Sequence, residues 1–161
     1  MKLRVPHIIS VAILTLVCSE LLMSQGVMYW ESNFDPITLP NITMQTGESE
    51  GEAEVTLFTS GDAEISADNT TTAQLSSATD TLLTEYKLRF DGDGTTKTGG
   101  ATAGFSSYDS FLSTPAYVTY VTDDNDVKVK LSVNAKNYND QLANAGTYTA
   151  TQTLTVHWVG P

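Results

Sequence analysis

The chain has 161 residues, a length suited to one domain, and 40% of them are hydrophobic. Its 19 acidic side chains against 8 Lys and Arg give a formal net charge of -11, so a nucleic acid would be repelled at long range and is not expected as a partner. An acidic surface over that apolar content reads as a folded domain, not as a disordered acidic tail.

The first residues read as an export signal. Lys2 and Arg4 make a basic start, and "IISVAILTLVC" (Ile8 to Cys18) is an apolar core of signal-peptide length. It is too short to span a membrane, and Glu20 interrupts any extension. Ser24 and Gly26 supply small residues before a cut, so residues 1–26 are assigned as a signal peptide. The competing reading is an uncleaved anchor helix. "TLVC" lacks the small residues that precede a lipidated cysteine. Cys18 is the only cysteine, so removal of the signal leaves a disulfide-free domain held by its core alone. A secreted or cell-surface location, with no stable membrane insertion after cleavage, is the expectation. The C-terminus carries no hydrophobic tail of the kind a lipid or wall anchor needs.

Residues 27–52 are expected to form an N-terminal arm and an acidic loop. "VMYWESNFDPITLPNITM" begins apolar and aromatic and then carries Pro36 and Pro40. Proline cannot donate to a sheet ladder, which predicts an edge strand, an extended arm or a linker. Val27, Tyr29, Trp30, Phe34, Ile37, Leu39, Ile42 and Met44 are its apolar side chains. "QTGESEGE" reads as a polar loop.

A sandwich domain is expected over 53–161. "AEVTLF" and "AEISA" alternate with period two and flank "SGD", which predicts a hairpin. "TAQLSS" is a lesser strand candidate. "LTEYKLRF" sets Tyr86, Leu88 and Phe90 against Glu85, Lys87 and Arg89, the pattern of a half-buried strand. "DGDGTTKTGG" is a Gly-rich loop. Phe105, Tyr108, Phe111 and Leu112 are spaced three or four apart, which allows a short helical turn. "AYVTYV" and "VKVKLSVNA" are strands on either side of "TDDND", the second with Val127, Val129, Leu131, Val133 and Ala135 on one face. In the last strand Tyr148, Leu154, Val156 and Trp158 form a core-directed face opposite a run of threonines. That face predicts a strand central to the sandwich and not a tail, with Gln152 interrupting the face so that part of it is expected to reach the sheet margin. Several short alternating strands without a long amphipathic helix define an all-β, antiparallel sandwich.

Chemistry-bearing clusters are sparse. His157 is the only histidine beyond the signal and no "GxSxG" is present, so no enzymatic activity is expected. Asp91, Asp93, Asp123, Asp124 and Asp126 fall in turn-like stretches. Hard oxygen ligands suit calcium, and the same residues are ordinary turn chemistry. Asn41 and Asn69 sit in glycosylation triplets, which also arise by chance in a Thr-rich chain. No cofactor is implied.

The run "VKVKLSVNA", followed by Ala145, Gly146, Thr147, Tyr148 and the Thr-rich strand to Trp158, resembles the C-terminal part of spore coat protein U and fimbrial-type secreted domains. The resemblance implies an incomplete, immunoglobulin-like (pilin-like) sandwich. It further implies that an N-terminal extension of one subunit supplies the strand missing from the next. The expected function is therefore a non-catalytic structural subunit of a cell-surface or extracellular fibre, self-associating or joined to another surface sandwich subunit. A monomeric binding module for carbohydrate or calcium is the alternative.

Overall fold

The computed structural model describes residues 26–91, 101–120, 125–137 and 143–160, with the side chains of 101–102 outside the description. The expected signal segment, apart from Gly26, lies outside the described residues. Among the described residues no helix is long and apolar enough to cross a membrane.

Among the described residues eight strands alternate with turns: β1 (Met28–Trp30), β2 (Glu48–Thr59), β3 (Asp62–Ala67), β4 (Leu83–Phe90), β5 (Ala101–Ser107), β6 (Ala116–Val118), β7 (Asp126–Lys136) and β8 (Leu154–Gly160). They form a five-stranded sheet in the order β1-β2-β7-β4-β5 and a three-stranded sheet in the order β6-β3-β8. Every pairing is antiparallel. The all-β, sandwich-like architecture expected from the alternating runs is present.

One apolar core joins the two sheets. Val55, Leu57, Leu88, Val129 and Leu131 come from the larger sheet, and Ala63, Ile65, Ala116 and Val118 from the smaller. β4 and β7 follow the two-residue period closely. Tyr86, Leu88 and Phe90 are buried, as are Val127, Val129, Leu131, Val133 and Ala135. The opposite face of the larger sheet is charged. Lys87 pairs with Glu50 at 3.5 Å, Lys130 with Glu52 at 3.1 Å, and Lys136 with Glu85 at 2.5 Å. Such partly exposed pairs contribute little each and mainly keep that face wet.

Buried hydroxyls tie the layers together. The Tyr86 hydroxyl donates to the Ala73 carbonyl at 2.6 Å, and burial pushes its pKa up to about 12. Thr84 Oγ1 accepts from the Leu75 amide at 2.9 Å and donates to the Leu82 carbonyl at 3.0 Å.

Five expectations are corrected. β2 starts at Glu48, so the acidic stretch is strand and the boundary placed at 52/53 falls inside it. β2 and β3 are not a hairpin, because the chain crosses between sheets at Ser60–Gly61. There, Thr59 Oγ1 donates to the Gly61 carbonyl at 2.6 Å. "TAQLSS" gives a 3-10 turn (Thr71–Ala73) and an isolated bridge at Ser76. Residues 108–114 form turns, but Phe105 lies on β5 and is not part of them. The last strand is not central: β8 lies at the margin of the smaller sheet, with Leu154, Val156 and Trp158 half-buried. Tyr148 precedes it.

Candidate functional site: the arm and the open edges

The arm continues the course that β1 begins. Met28 lies opposite Thr59 and Trp30 opposite Leu57. The Glu31 amide then donates to the Thr56 carbonyl at 3.0 Å. Farther along, Ile37 and Leu39 lie against Gly51, Ser49 Oγ donates to the Pro40 carbonyl at 2.8 Å, and Ile42 lies against Gly47. The segment therefore runs antiparallel to β2 over the whole strand.

It does so almost without a ladder. From Ser32 to Thr43, no backbone–backbone hydrogen bond to β2 occurs among the described residues. Pro36 and Pro40 have no N–H to give. What holds the arm is side-chain packing: Met28, Trp30, Phe34, Ile37, Leu39 and Ile42 are partly buried against the core. Trp30 and Phe34 pack on each other with ring centroids 6.1 Å apart.

Gly51 makes this docking possible. It faces Val133, on the core side of β2. A Cβ at residue 51 would stand 2.7 Å from Ile37 Cγ2 and 2.8 Å from Leu39 Cδ2. A glycine inside a strand marks such a close approach of another segment.

Of the expected arm residues, Phe34, Ile37, Leu39 and Ile42 come together on the core, whereas Val27, Tyr29 and Met44 are exposed. Tyr29 stacks on Phe58 at 5.0 Å, on the outer side of the sheet. Beside the arm runs a groove of ≈ 690 Å³, bordered by Ile37, Leu39, Ile42, Leu75, Leu82 and Tyr148. The two prolines and the apolar run mark residues 27–44 as an extended segment, but its seat on Gly51 was missed. The signal was the glycine in "SEGEA", between residues that alternate.

The acidic residues are not gathered. Asp91 is fully buried, its amide donating to the Lys128 carbonyl at 3.4 Å. Among the described residues neither of its carboxylate oxygens has a hydrogen-bond partner. Asp126 pairs with Phe58 on the opposite side of β7. Asp93, Asp123 and Asp124 lie outside the described residues. Among the described residues no group of three or more His, Cys, Asp or Glu could hold a metal ion. His157 is exposed and lies opposite Glu64, with no serine or cysteine nucleophile hydrogen-bonded to it among the described residues. Asn41 is exposed on the arm, whereas Asn69 is half-buried with its Oδ1 covered.

Asp62 shows what a half-buried carboxylate does here. The hydroxyl of Tyr117 donates to it at 2.7 Å and the amide of Tyr120 at 2.8 Å, and these bonds hold its pKa below the usual range. This is loop-fixing chemistry.

Comparison of the chain with protein-family models, with curated proteins and with solved structures finds no match.

Proposed function

We propose that the protein is a secreted, non-catalytic structural subunit with an immunoglobulin-like, pilin-like sandwich. In this reading copies of the chain join into a cell-surface or extracellular fibre when the arm of one docks along β2 of the next. One observation carries it. Residues 32–43 pack through apolar side chains on the core side of β2, with almost no ladder to hold them there.

An arm so attached breaks almost no backbone hydrogen bond on release, and it fits any copy of the same surface equally well. After exchange between copies, each β2 again carries an arm packed in the same way. Exchange would thus be nearly neutral in free energy, and its extent would be set by protein concentration. The extended backbone of the arm and the alternate apolar side chains are what strand-addition partners use.

Negative-stain microscopy of the full chain beside a variant lacking residues 27–44 tests this reading. Fibres are expected from the full chain and none from the deletion. Fibres of normal number and length from a deletion that keeps a cooperative melting transition would end the arm hypothesis. If the deletion does not fold, Ile37→Asp with Leu39→Asp replaces it, with the same expected outcome.

A further inference from the structure

We propose that β8 is a second interaction surface. It takes a second copy of this chain, pairing antiparallel with β8 of that copy about His157. The contact uses no residue of the arm and stands apart from arm exchange.

Among the described residues β8 pairs with β3 alone and forms the margin of its sheet. The ladder tells which groups are free. The Asp68 amide donates to the Thr153 carbonyl at 2.9 Å, and that of Thr151 to the Thr72 carbonyl at 2.7 Å. Odd-numbered residues thus direct their backbone toward β3 and its extension. Neighbours in a strand alternate, so Leu154, Val156 and Trp158 direct their N–H and C=O outward. No backbone partner for these groups occurs among the described residues.

The other three margins are blunted in ways edge strands commonly are. β1 and β6 have three residues each. β1 leads into an arm with two prolines, and β5 carries a register shift opposite Tyr86–Leu88. β8 has seven residues, "LTVHWVG", with no proline and no charged side chain, and its own register shift, opposite Asp62–Ala63, falls beyond Trp158 and leaves Leu154–Trp158 regular. Residues 143–160 contain no Asp, Glu, Lys or Arg, in a chain of net charge -11. Two copies repel elsewhere and can approach along this stripe.

The strand is also complementary to itself. Full antiparallel overlap of two β8 strands places His157 on the two-fold axis. Val156 then faces Trp158 of the second copy, and the register shift beyond Trp158, where Gly160 pairs with Asp62, ends the regular overlap there. The outward-directed groups of Val156 and Trp158 meet as hydrogen-bonded pairs, and their side chains form an aromatic–β-branched pair on the inner face. The two His157 residues form a non-hydrogen-bonded pair.

That register gives a specific test on the full chain carrying Cys18→Ser. In the wild type, sedimentation is expected to show concentration-dependent dimers. Val156→Pro removes an N–H that β3 does not use, and is expected to weaken dimerisation by about tenfold or more. His157→Cys places two Cβ atoms about 4.5–5.5 Å apart across the axis, close enough for a disulfide with slight adjustment. Mild oxidation should give a 157–157 linked dimer that the added Val156→Pro change suppresses. A wild type that stays monomeric at millimolar concentration overturns the proposal. So do dimers that Val156→Pro leaves intact. If Val156→Pro fails to melt cooperatively, the disulfide decides: no 157–157 link on oxidation overturns the pairing.

Discussion

Phe111→Ala is expected to destabilise the protein by about 3–5 kcal/mol, among the largest losses a single side chain can give. Phe111 is fully buried, although it belongs to a turn and not to a strand. Its ring packs on Tyr86 with centroids 5.5 Å apart. Leu112 beside it is the one non-glycine residue with positive φ, at 49°, among the described residues. That conformation is disfavoured for a leucine by about 1–2 kcal/mol, and burial of the two side chains outweighs it. Removing the phenyl ring leaves a void against Tyr86 and the core ends of β4. Urea titration followed by tryptophan fluorescence measures the loss. A change below about 1 kcal/mol would mean that the turn does not anchor the core.

The second large effect is on the arm. Gly51→Val is expected to displace residues 32–43, because the new Cβ meets Ile37 and Leu39 at 2.7 and 2.8 Å. Overpacking of this kind costs about 1–3 kcal/mol. The arm is the part able to give way, having almost no ladder, whereas β2 is paired with β7 from Glu48 to Phe58. Valine also suits a strand better than glycine. The β2–β7 ladder should therefore survive while the arm opens. Limited proteolysis reports this directly: cleavage sites in 32–43 become accessible, while the amides of β4 and β7 stay protected from hydrogen exchange. Equal protection of the arm in both proteins would contradict the seat described for Ile37 and Leu39. Because an arm from another copy would need the same seat, the variant should also lose assembly.

Much of the fold was legible where apolar side chains keep strict alternation. β4 and β7 carry large residues on the core side and charged ones outside, and that contrast marks both as strands. β2 was shortened because its first core-side residues are Ser49, Gly51 and Ala53. These are too small to display a hydrophobic period, so the glutamates between them read as a loop. Their smallness has a cause, since the arm needs the space. The aromatic run after residue 105 misled through its spacing. Phe105 stands on β5 with Lys87 over its ring at 4.4 Å, whereas Phe111 and Leu112 reach the core from turns. Periodicity cannot distinguish a helix from a strand followed by turns.

The last strand was legible as a strand and not as an edge. Its alternating face reports that one side is covered, which holds for Leu154, Val156 and Trp158. Nothing in that pattern reports whether a neighbour exists on each side, because neighbours are fixed by chain crossings such as Ser60–Gly61. Trp158 illustrates the point. Its ring lies so close to Gly26 and Gly61 that a Cβ at either residue would meet it within 1.7 and 2.3 Å. Two distant glycines thus position the tryptophan, and neither is adjacent to it in sequence.

The central claim is that the arm docked on β2 can belong to another copy. Two single-cysteine variants test it, Asn41→Cys in one preparation and Ser49→Cys in the other, both with Cys18→Ser. Residue 41 follows Pro40, whose carbonyl accepts from Ser49 Oγ at 2.8 Å, so the two positions lie within reach of a short bis-maleimide. The preparations are mixed under assembly conditions, cross-linked, and mapped by mass spectrometry. No single chain in the mixture holds both cysteines, so a 41–49 link can form only between copies. Arm exchange predicts abundant 41–49 links in the mixture. Their absence there, with efficient linking inside a chain that carries both cysteines, would show that the arm stays on its own domain and would contradict the account.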